Sequence, residues 1–472
     1  MTAIVTSKFR TVNAENFKED IANSSVYVAI GKTDAWSNAT SDTTDTTPFT
    51  PYDTIDALVE ARENIFAIKR LTAGDVSHVI PRHTWTTGRS YIAWDSDDPD
   101  IFDKAFYVIT SEFKVYKCIS APGVGSTQEP TQTLTAPQAE SDLYIWKYMY
   151  TVAVADAEKF LTTSYMPVKT INVESYANDA AAELALSEGD YAQYLNQKAS
   201  RDAVAPSAAA GIERIEVTAG GTGYSSKPNV FITGAGTGAS VAAGDITLTG
   251  GAVTAIAVTA KGTDYSTAHI VISGGGGSDA TARAVLSPEN GHGTDPVKEL
   301  GGFFSAVNTL LDGTGGGDLT VGNDFRQITL IKNPYNVGGV SISTAATAKG
   351  SAALSFASTT SSFQVDELIT QGTGAALAQA FVVEIDTGTG YVYYNQNSKT
   401  GYGNFVVGTT VTGATSGAQG TPNPGTAINQ PYPFNIPPEF DIHSGDIIFL
   451  ENRNPIDRTA SQIEDIKIII EF

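Results

Sequence analysis

The sequence predicts a mainly β, multidomain protein with a β-sandwich-like core, a few short helices and two inserted small β modules. Glycine is abundant, at 45 of 472 residues, and it is concentrated after Gly211. Short runs rich in Thr, Val and Ile alternate with turn residues, which favours strands over long helices. Two Gly- and Thr-rich segments each contain an internal repeat, which indicates that each is a module of its own.

The first part of the chain combines one clear helix with short strands. We expect a strand at residues 3–6, a short helix over residues 13–21 that Asn13 caps, and a strand over residues 26–30. The clearest helix covers residues 55–69, because its apolar side chains recur close to helical spacing.

Residues 76–172 alternate strand-like runs with turns. β-branched and aromatic side chains predict three strands, at residues 106–110, 113–119 and 143–152. We expect one short helix turn at residues 155–162. An alanine-rich stretch over residues 178–205 is expected to be partly helical.

The first Gly-rich segment contains an internal repeat. The stretch Ile215-Glu-Val-Thr-Ala-Gly-Gly-Thr-Gly-Tyr224-Ser is echoed by Ile256-Ala-Val-Thr-Ala-Lys-Gly-Thr-Asp-Tyr265-Ser. Two copies are fewer than a solenoid needs, so we interpret them as two small β modules packed on each other. Residues 274–279 match the G-G-x-G-x-D pattern of a calcium-binding β-helix, but a single copy cannot stack, and a plain glycine turn is favoured.

The chain then continues with a predicted helix, a strand and a second repeated segment. Apolar residues after Pro296 predict a helix over residues 296–311, and a strand is expected over residues 325–332. In the second Gly-rich segment, residues 363–370 are echoed by residues 405–412, which predicts a small β barrel or sandwich.

The C-terminal stretch predicts two strands. Residues 447–450 form a short apolar run, and residues 463–472 are rich in isoleucine. Residues 452–455, Asn-Arg-Asn-Pro, have polar turn chemistry and are expected to connect the two strands. Because the chain ends in Ile-Ile-Ile-Glu-Phe, we expect its terminus to pair within a sheet.

Composition disfavours several classes of function. The net charge of −22 disfavours binding to nucleic acid or to an anionic membrane, because both would repel the chain. Cys118 is the single cysteine, so no internal disulfide can form, and we expect it to be a buried small hydrophobe. No apolar run approaches the roughly 18 residues of a membrane span, and the N-terminus lacks a secretion signal.

No motif for catalysis, cofactor binding or metal binding is present. The five histidines form no H-E-x-x-H pattern, and no phosphate- or dinucleotide-binding loop is found. The carboxylates of residues 95–100 are dense enough for calcium, but they lack the glycine and the final glutamate of an EF-hand loop, so an exposed acidic turn is expected. Paired carboxylates for glycoside hydrolysis stay open, because such a pair forms in space rather than in sequence.

Collinear blocks that run from residues 3–11 through residues 79–85 and 325–334 to residues 441–472 resemble the baseplate wedge protein family of T-even-like contractile-tailed phages. Both termini carry such blocks, beginning with Ala-Ile-Val-Thr-Ser-Lys-Phe-Arg-Thr after residue 2 and ending with the C-terminal strands. The blocks are residues 3–11, 26–36, 79–85, 115–118, 144–148, 325–334 and 441–472. The two Gly-rich segments lie outside the resemblance.

This resemblance suggests how the chain divides. The core would comprise an N-terminal part, a middle continuation and the C-terminal strands, and the two inserts would interrupt it. The predicted boundaries are 1–205 for the first core part, 206–289 for the first insert, 290–344 for the core continuation, 345–430 for the second insert and 431–472 for the C-terminal strands.

The resemblance also implies a function. It implies a structural, non-enzymatic subunit of a tail baseplate wedge, forming a homodimer that contacts other wedge subunits, with no cofactor. Such a subunit is assembled in the host cytoplasm and resides in the virion. Residues in or beside the resembling blocks are candidates for structural or interface roles, the arginines as clamps onto carboxylates or carbonyls. They are Arg82, Trp85, Trp146, Phe325, Arg326 and Arg453.

Two other functions are compatible with the sequence. The Gly-, Thr- and Tyr-rich modules suit a carbohydrate-binding tail fibre or adhesin. A polysaccharide-degrading tail enzyme is the second alternative, because its carboxylate pair would not be visible in sequence.

Overall fold

The computed structural model describes residues 4–36, 48–203, 211–312, 324–397, 399–424, 436–457 and 463–472. The chain is mainly β, as the sequence predicts. It folds into two compact units. The first comprises Met1–Asn16, Ser77–Ala306 and Ile469–Phe472, and the second comprises Phe17–Val76 and Val307–Ile468.

The helices and strands are numbered in chain order. The helices are α1 (Ser7–Asn23), α2 (Ile55–Asn64), α3 (Val154–Phe160), α4 (Asp179–Ala185), α5 (Glu188–Ala203) and α6 (Pro296–Glu299). The first strands are β1 (Val26–Gly31), β2 (Ile65–Arg70), β3 (Val76–Pro81), β4 (Tyr107–Ile109), β5 (Lys114–Ser120), β6 (Gln138–Ala139), β7 (Ile145–Thr151) and β8 (Tyr165–Val168). The next are β9 (Ile212–Thr222), β10 (Asn229–Gly234), β11 (Thr237–Ser240), β12 (Ile246–Thr249), β13 (Ala252–Ile256), β14 (Ala260–Thr263), β15 (Ala268–Ser273) and β16 (Ser278–Leu286). The last are β17 (Phe304–Asp312), β18 (Asp324–Lys332), β19 (Thr347–Lys349), β20 (Ala352–Thr359), β21 (Leu368–Gln371), β22 (Ala378–Asp386), β23 (Tyr391–Asn395), β24 (Val411–Gly413), β25 (Gln419–Pro422), β26 (Asp446–Asp457) and β27 (Ile463–Glu471).

Helix α1 is longer than predicted and begins earlier. The expected strand is absent from residues 4–6, and the helix does not start at Asn13. The Thr6 hydroxyl accepts a hydrogen bond from the Phe9 amide at 3.3 Å, so Thr6 rather than Asn13 caps the first turn. Ala14 and Ile21 are buried on the inner side of the helix.

Helix α2 ends sooner than predicted. The Thr54 hydroxyl caps its start, accepting a hydrogen bond from the amide of Ala57, but the helix stops at Asn64. The next residues form β2, where Ile68 lies opposite Ala29 on one side and Ala348 on the other. Pairing on both sides in a buried sheet stabilises the strand, so tertiary context overrides the helical spacing of its apolar residues.

The helix predicted over residues 296–311 is also wrong. Only Pro296–Glu299 is helical, and Phe304–Asp312 is strand β17. Gly301 has a φ of +80°, and a Cβ there would lie 2.6 Å from the Phe102 ring. This left-handed glycine ends the helix and lets the chain turn closely past Phe102 into β17.

The core of the first unit is built on a four-stranded sheet with the order β4-β5-β7-β6. Tyr116 lies opposite Tyr148 in its β5–β7 pair, and both are buried. Cys118 is also buried there, and burial raises the pKa of its thiol, which keeps it protonated and unreactive. Strands β3 and β8 form a further antiparallel pair in this unit.

The first Gly-rich segment is one module rather than two packed on each other. Six of its strands form one sheet, ordered β10-β15-β16-β9-β13-β12, and β11 pairs with β14. Ile215 of the first repeat lies directly opposite Ile256 of the second. Tyr224 and Tyr265, which are equivalent in the repeat, are buried in one apolar core. The repeats interleave because neither could cover its apolar face alone.

The second unit contains a five-stranded sheet ordered β19-β2-β1-β18-β26. Strand β1 lies at its centre and is buried along its whole length. The second Gly-rich segment forms a closed barrel of six strands, ordered β20-β23-β22-β21-β24-β25. Phe363 and Phe405, which are equivalent in its repeat, are both buried in the barrel core. Of the two predicted forms, a small β barrel or a sandwich, the segment therefore adopts the barrel.

The C-terminal prediction holds for the strands and fails for their connection. Residues 452–455 are not a turn, because they lie within β26. Asn452 is opposite Gln327 of β18, and its Oδ1 accepts a hydrogen bond from the Gln327 side chain at 2.9 Å. Residues 458–462, between β26 and β27, lie outside the described residues.

Candidate functional site

The first Gly-rich segment, the first insert of the predicted division, begins and ends at adjacent points within the first unit. Ile212 at the start of β9 lies opposite Leu286 at the end of β16. One residue further out, the Ser287 amide donates to the Gly211 carbonyl at 3.0 Å. The two ends of the insert are therefore held together by backbone hydrogen bonds. We call this paired start and end of the segment the base of the first insert.

A cluster of charged groups fixes this base from the outside. Arg283 of β16 donates to both oxygens of Asp95, at 2.8 and 2.5 Å, and also to Glu216 of β9. Its guanidinium lowers the pKa of Asp95, which keeps that carboxylate charged. Nearby, Arg214 donates to the Trp94 carbonyl at 2.5 Å. A forked arginine on a carboxylate restricts direction as well as distance, so the module is held at a defined angle.

Two carboxylates of the acidic stretch over residues 95–100 form ion pairs with basic side chains. Asp95 is held by Arg283, and Asp98 pairs with Lys104 at 2.6 Å. Within the described ranges, no cluster of His, Cys, Asp and Glu side chains has the geometry of a metal site.

The stretch over residues 274–279, which matches the calcium-binding pattern, forms a glycine turn. Gly274, Gly275 and Gly276 all have positive φ, as a tight turn between β15 and β16 requires.

Beneath this outer cluster lies a buried ion pair. Lys117 of β5 and Glu299 of α6 are both almost inaccessible to solvent, and Lys117 Nζ lies 2.9 Å from Glu299 Oε2. Lys117 also sits 3.8 Å from the centre of the Trp94 ring. Glu299 accepts further hydrogen bonds from the amides of Gly293 and Asp295. The carboxylate is thus fully solvated by the protein, as a buried charge requires.

A second buried lysine lies opposite the first. Lys147 of β7 faces Lys117 across the β5–β7 pair. Its ammonium donates to Asn196 at 2.9 Å and to the Thr135 carbonyl, without a carboxylate among these partners. Burial lowers the pKa of Lys147 to about 8. Placing the two ammonium groups on different acceptors avoids direct repulsion between neighbouring strands.

The network extends to the base of the insert through His292 and Glu213. His292 Nε2 lies 3.5 Å from Glu213 Oε2, and both side chains are mostly buried. Burial and the nearby Lys117 charge lower the pKa of His292 to about 4, so its ring is neutral at pH 7. Burial alone would raise the pKa of Glu213, but contacts with His292 and Lys261 lower it to about 2. Glu213, on β9, is therefore an anion held inside the junction, the place where the base of the insert meets the rest of the first unit.

The second insert is joined to the second unit in a similar way. Lys399 of the insert pairs with Asp34, and Lys32 donates to the other oxygen of Asp34 at 2.8 Å. Lys32 and Asp34 are both buried. Close to the start of the insert, the Lys349 carbonyl accepts a hydrogen bond at 2.7 Å from the amide of Glu439, which lies in the C-terminal segment after the insert. An ion pair thus holds the base of each insert, Arg283 with Asp95 in the first and Lys399 with Asp34 in the second.

Three of the sequence-predicted candidates lie in the first unit. Arg82 follows β3 and donates to the Thr162 carbonyl at 2.9 Å. Trp85 is half-buried and donates to the Ser126 hydroxyl at 3.2 Å. Trp146 of β7 is fully buried and stacks on Tyr144 with 5.5 Å between ring centres, so it is a core residue.

The other three candidates lie in the second unit. Phe325 is fully buried in β18. Its neighbour Arg326 is also buried, and it donates to the Thr33 carbonyl at 2.6 Å and to Asp324 at 3.0 Å. Arg453 is exposed and pairs with Glu451 at 3.3 Å. The six candidates therefore divide between the two units, and an interface role for any of them stays a prediction.

Sequence reasoning missed the buried charges at the first junction. One signal was available, because Lys117 and Lys147 each interrupt a run of apolar and aromatic residues that pairs on both sides. A charged residue inside such a run is buried with a partner. The partner itself could not be inferred, since Glu299 is far from Lys117 in sequence.

The N-terminal part of the chain matches a family of phage proteins. Residues 3–136 match the family model described as Bacteriophage T4, Gp8. The matched segment is less than a third of the 472-residue chain, and it includes Trp94, Asp95 and Lys117 but neither insert. No curated protein matches the chain. Among the described helices, none is long and apolar enough to span a membrane.

Proposed function

We propose that this chain is a structural, non-enzymatic subunit of a baseplate wedge in a contractile-tailed phage. The observation that carries the proposal is the match of residues 3–136 to the Gp8 family of bacteriophage T4. The collinear blocks at residues 144–148, 325–334 and 441–472 extend the resemblance beyond the matched segment. The subunit would link neighbouring wedge proteins and support baseplate assembly and contraction signalling.

The architecture of the junctions supports a structural role. The first insert is held at its base by the ion pair of Arg283 with Asp95 and by the contact of Glu213 with His292, and the second by the ion pair of Lys399 with Asp34. Buried charge pairs contribute little net stability, but they favour one arrangement, because any other leaves a charge unsolvated. A subunit that transmits movement between neighbours needs modules with fixed directions.

The proposal includes a homodimer and the domain boundaries given above. The chain would pair through an isologous two-fold interface, which closes on itself without forming filaments. Light scattering of the purified chain at micromolar concentration tests the dimer, and a monomer would contradict it. For the boundaries, a short Gly-Ser bridge in place of either insert should leave a folded dimer, whereas insoluble protein would show that the insert belongs to the core.

The location in the particle separates this proposal from a fibre. Negative-stain images of particles labelled with an antibody against the barrel insert should show label at the plate. A wedge subunit lies inside the plate, whereas label on a protruding filament would favour a fibre or adhesin. Particles without any label would contradict both.

A second candidate function, binding of a neutral glycan, is favoured by one groove. It lies on the barrel, has a volume of about 340 Å³, and is lined by small uncharged residues. The lining residues are Ala357, Ser358, Thr359, Thr360, Thr410, Gln419, Gly420 and Thr421. Hydroxyl and amide groups can bind sugar hydroxyls, and the absence of a carboxylate from this lining does not suit glycoside hydrolysis. Calorimetric titration with host surface polysaccharide tests it, and no heat of binding would reject it.

A further inference from the structure

An apolar surface forms in the second unit where helix α2 and the barrel insert come together. Ile55 is 81% exposed, and Val59 is also exposed one turn later on the same side of α2. Glu63, one further turn along, continues this line of side chains. Exposed apolar side chains in a row on one helix indicate a contact surface rather than the scattered exposure that every protein shows.

The barrel contributes the other half of this surface. Leu377, Tyr402, Val406 and Val407 are exposed, although three of them are aliphatic. The Gln371 side chain donates to the Val406 carbonyl at 2.9 Å and accepts from the Val406 amide at 2.6 Å. Gln371 also lies opposite Ala378, the residue after Leu377, in the β21–β22 pair. Gln371 therefore holds the segment of Val406 close to that of Leu377.

The loop that carries Tyr402 packs on the same place. A Cβ at Gly403 would lie 2.1 Å from the Leu377 carbonyl, so the two segments touch and glycine is required at the contact. Leu377, Tyr402 and Val406 are therefore neighbours on the surface of the barrel.

A hydrogen bond joins the two halves. The side chain of Asn395, at the end of barrel strand β23, donates to the carbonyl of Asn64 at the end of α2, at 3.3 Å. We call the joint surface the α2–barrel patch, and its members are Ile55, Val59, Leu377, Tyr402, Val406 and Val407. Residues 3–136 match the phage family model and supply its helix, whereas the insert supplies its barrel side.

The rim of the α2–barrel patch is acidic. Asp53 and Asp56 are exposed at the start of α2, and Glu60 lies between Val59 and Glu63. The basic residues beside it are already engaged, since Arg62 donates to the Ser444 carbonyl at 2.8 Å and Lys399 pairs with Asp34. A second copy of this chain would bring an identical acidic rim against this one, which disfavours self-association through the patch.

We propose that the α2–barrel patch docks a different protein, whose contact surface is apolar at its centre and rich in Lys and Arg at its rim. The inference rests on the proposed function, in which that protein is a neighbouring subunit of the particle. It also assigns a purpose to the second insert, which widens a surface that α2 alone would leave too small for a stable contact.

Photo-crosslinking in infected cells tests the proposal. The photoreactive residue p-benzoylphenylalanine replaces Ile55 or Val407 in the full chain, and cells are irradiated late in infection. A matched control places the same residue at Val340, which is 94% exposed in the same unit but outside the patch. Adducts are identified by mass spectrometry in the cell extract and in purified particles.

Both patch positions should cross-link to the same second protein, through a peptide with net positive charge, and Val340 should not reach that peptide. When the cells are lysed first and the extract is irradiated instead, raising its salt concentration before irradiation should lower the yield of this adduct severalfold, because the rim contacts are electrostatic. An adduct between two copies of this chain, or no adduct at Ile55 and Val407 in either sample, overturns the inference. The amount of this chain in purified particles is measured separately, so its absence there rejects the proposed function instead.

Discussion

Ile215 and Ile256 occupy equivalent positions in the two repeats of the first insert and lie directly opposite each other in the β9–β13 pair. Both are buried in one apolar core that also contains Tyr224 and Tyr265. The repeat therefore generates a single core from two half-modules. Replacing either isoleucine by a smaller residue should therefore destabilise the whole module.

The change Ile256→Ala should destabilise the first insert by about 2–4 kcal/mol, because it removes buried methyl groups and leaves a cavity. Urea unfolding followed by limited proteolysis within residues 211–288 measures this. The control Val271→Ala removes a side chain that is about half exposed and should cost well under half as much. Equal costs for the two variants would show that Ile256 is not a core position.

The buried pair Lys117–Glu299 gives a second prediction. The change Lys117→Met leaves the Glu299 carboxylate buried without its cation and should cost about 3–5 kcal/mol. The double variant Lys117→Met/Glu299→Gln should recover most of that loss. By contrast, Lys104→Met breaks a more exposed pair with Asp98 and should cost far less than Lys117→Met. A single Lys117 variant as stable as the natural chain would refute the pairing.

Acid stability should depend on two histidines with lowered pKa values, the partly buried His83 and His292. The pKa of His83 and that of His292 are each lowered from an ordinary value of 6.5 to about 4, mainly by burial. The unfolded chain therefore binds these protons more readily, so stability is full above pH 6.5 and falls as pH decreases towards 4. Glu213, whose pKa is lowered to about 2, adds a further loss below pH 4.5.

Melting temperatures recorded between pH 4 and pH 7.5 measure this dependence. The variant His83→Gln/His292→Gln should show a shallower decline between pH 6.5 and pH 4, because neither side chain then binds a proton. An unchanged slope would place the acid sensitivity in other groups. Only slopes are compared, so a uniform loss of stability in the variant does not affect the outcome.

Arg326 and Arg453 form a matched pair for the predicted arginine clamps. Arg326 is buried and donates to the Thr33 carbonyl and to Asp324, so Arg326→Ala should cost about 2 kcal/mol and lower the melting temperature. Arg453 is exposed, and its ion pair with Glu451 contributes little. Arg453→Ala should therefore melt close to the natural chain. If Arg326→Ala left the melting temperature unchanged, its clamp role would be wrong.

The sequence predicted strands well where β-branched residues end at a clear turn. Strand β18 is an example, because it ends at Lys332, directly before the turn residues Asn333 and Pro334. Prediction from the sequence failed where a strand is buried on both faces. Ile65, Phe66, Ala67 and Ile68 are all buried in β2, so the alternation that marks a strand is lost and the spacing resembles a helix.

The junction networks could be predicted only in part. Lys117 and Lys147 were visible as charges inside apolar runs, but their acceptors come from distant segments, Glu299 for one and Asn196 for the other. Sequence spacing does not record such pairs, since they form only when α5 and α6 pack against the sheet. The Asn-Arg-Asn-Pro stretch failed for a related reason, as its pairing with β18 outweighs its preference for turns.

A cryo-EM reconstruction of the tail end of the particle tests the central claim most directly. The account predicts density inside the baseplate that fits the five-stranded sheet ordered β19-β2-β1-β18-β26 together with the closed six-stranded barrel, repeated around the tail axis in every wedge. A baseplate resolved well enough to trace its subunits, with this fold absent from the plate or present only in a protruding fibre, would contradict it.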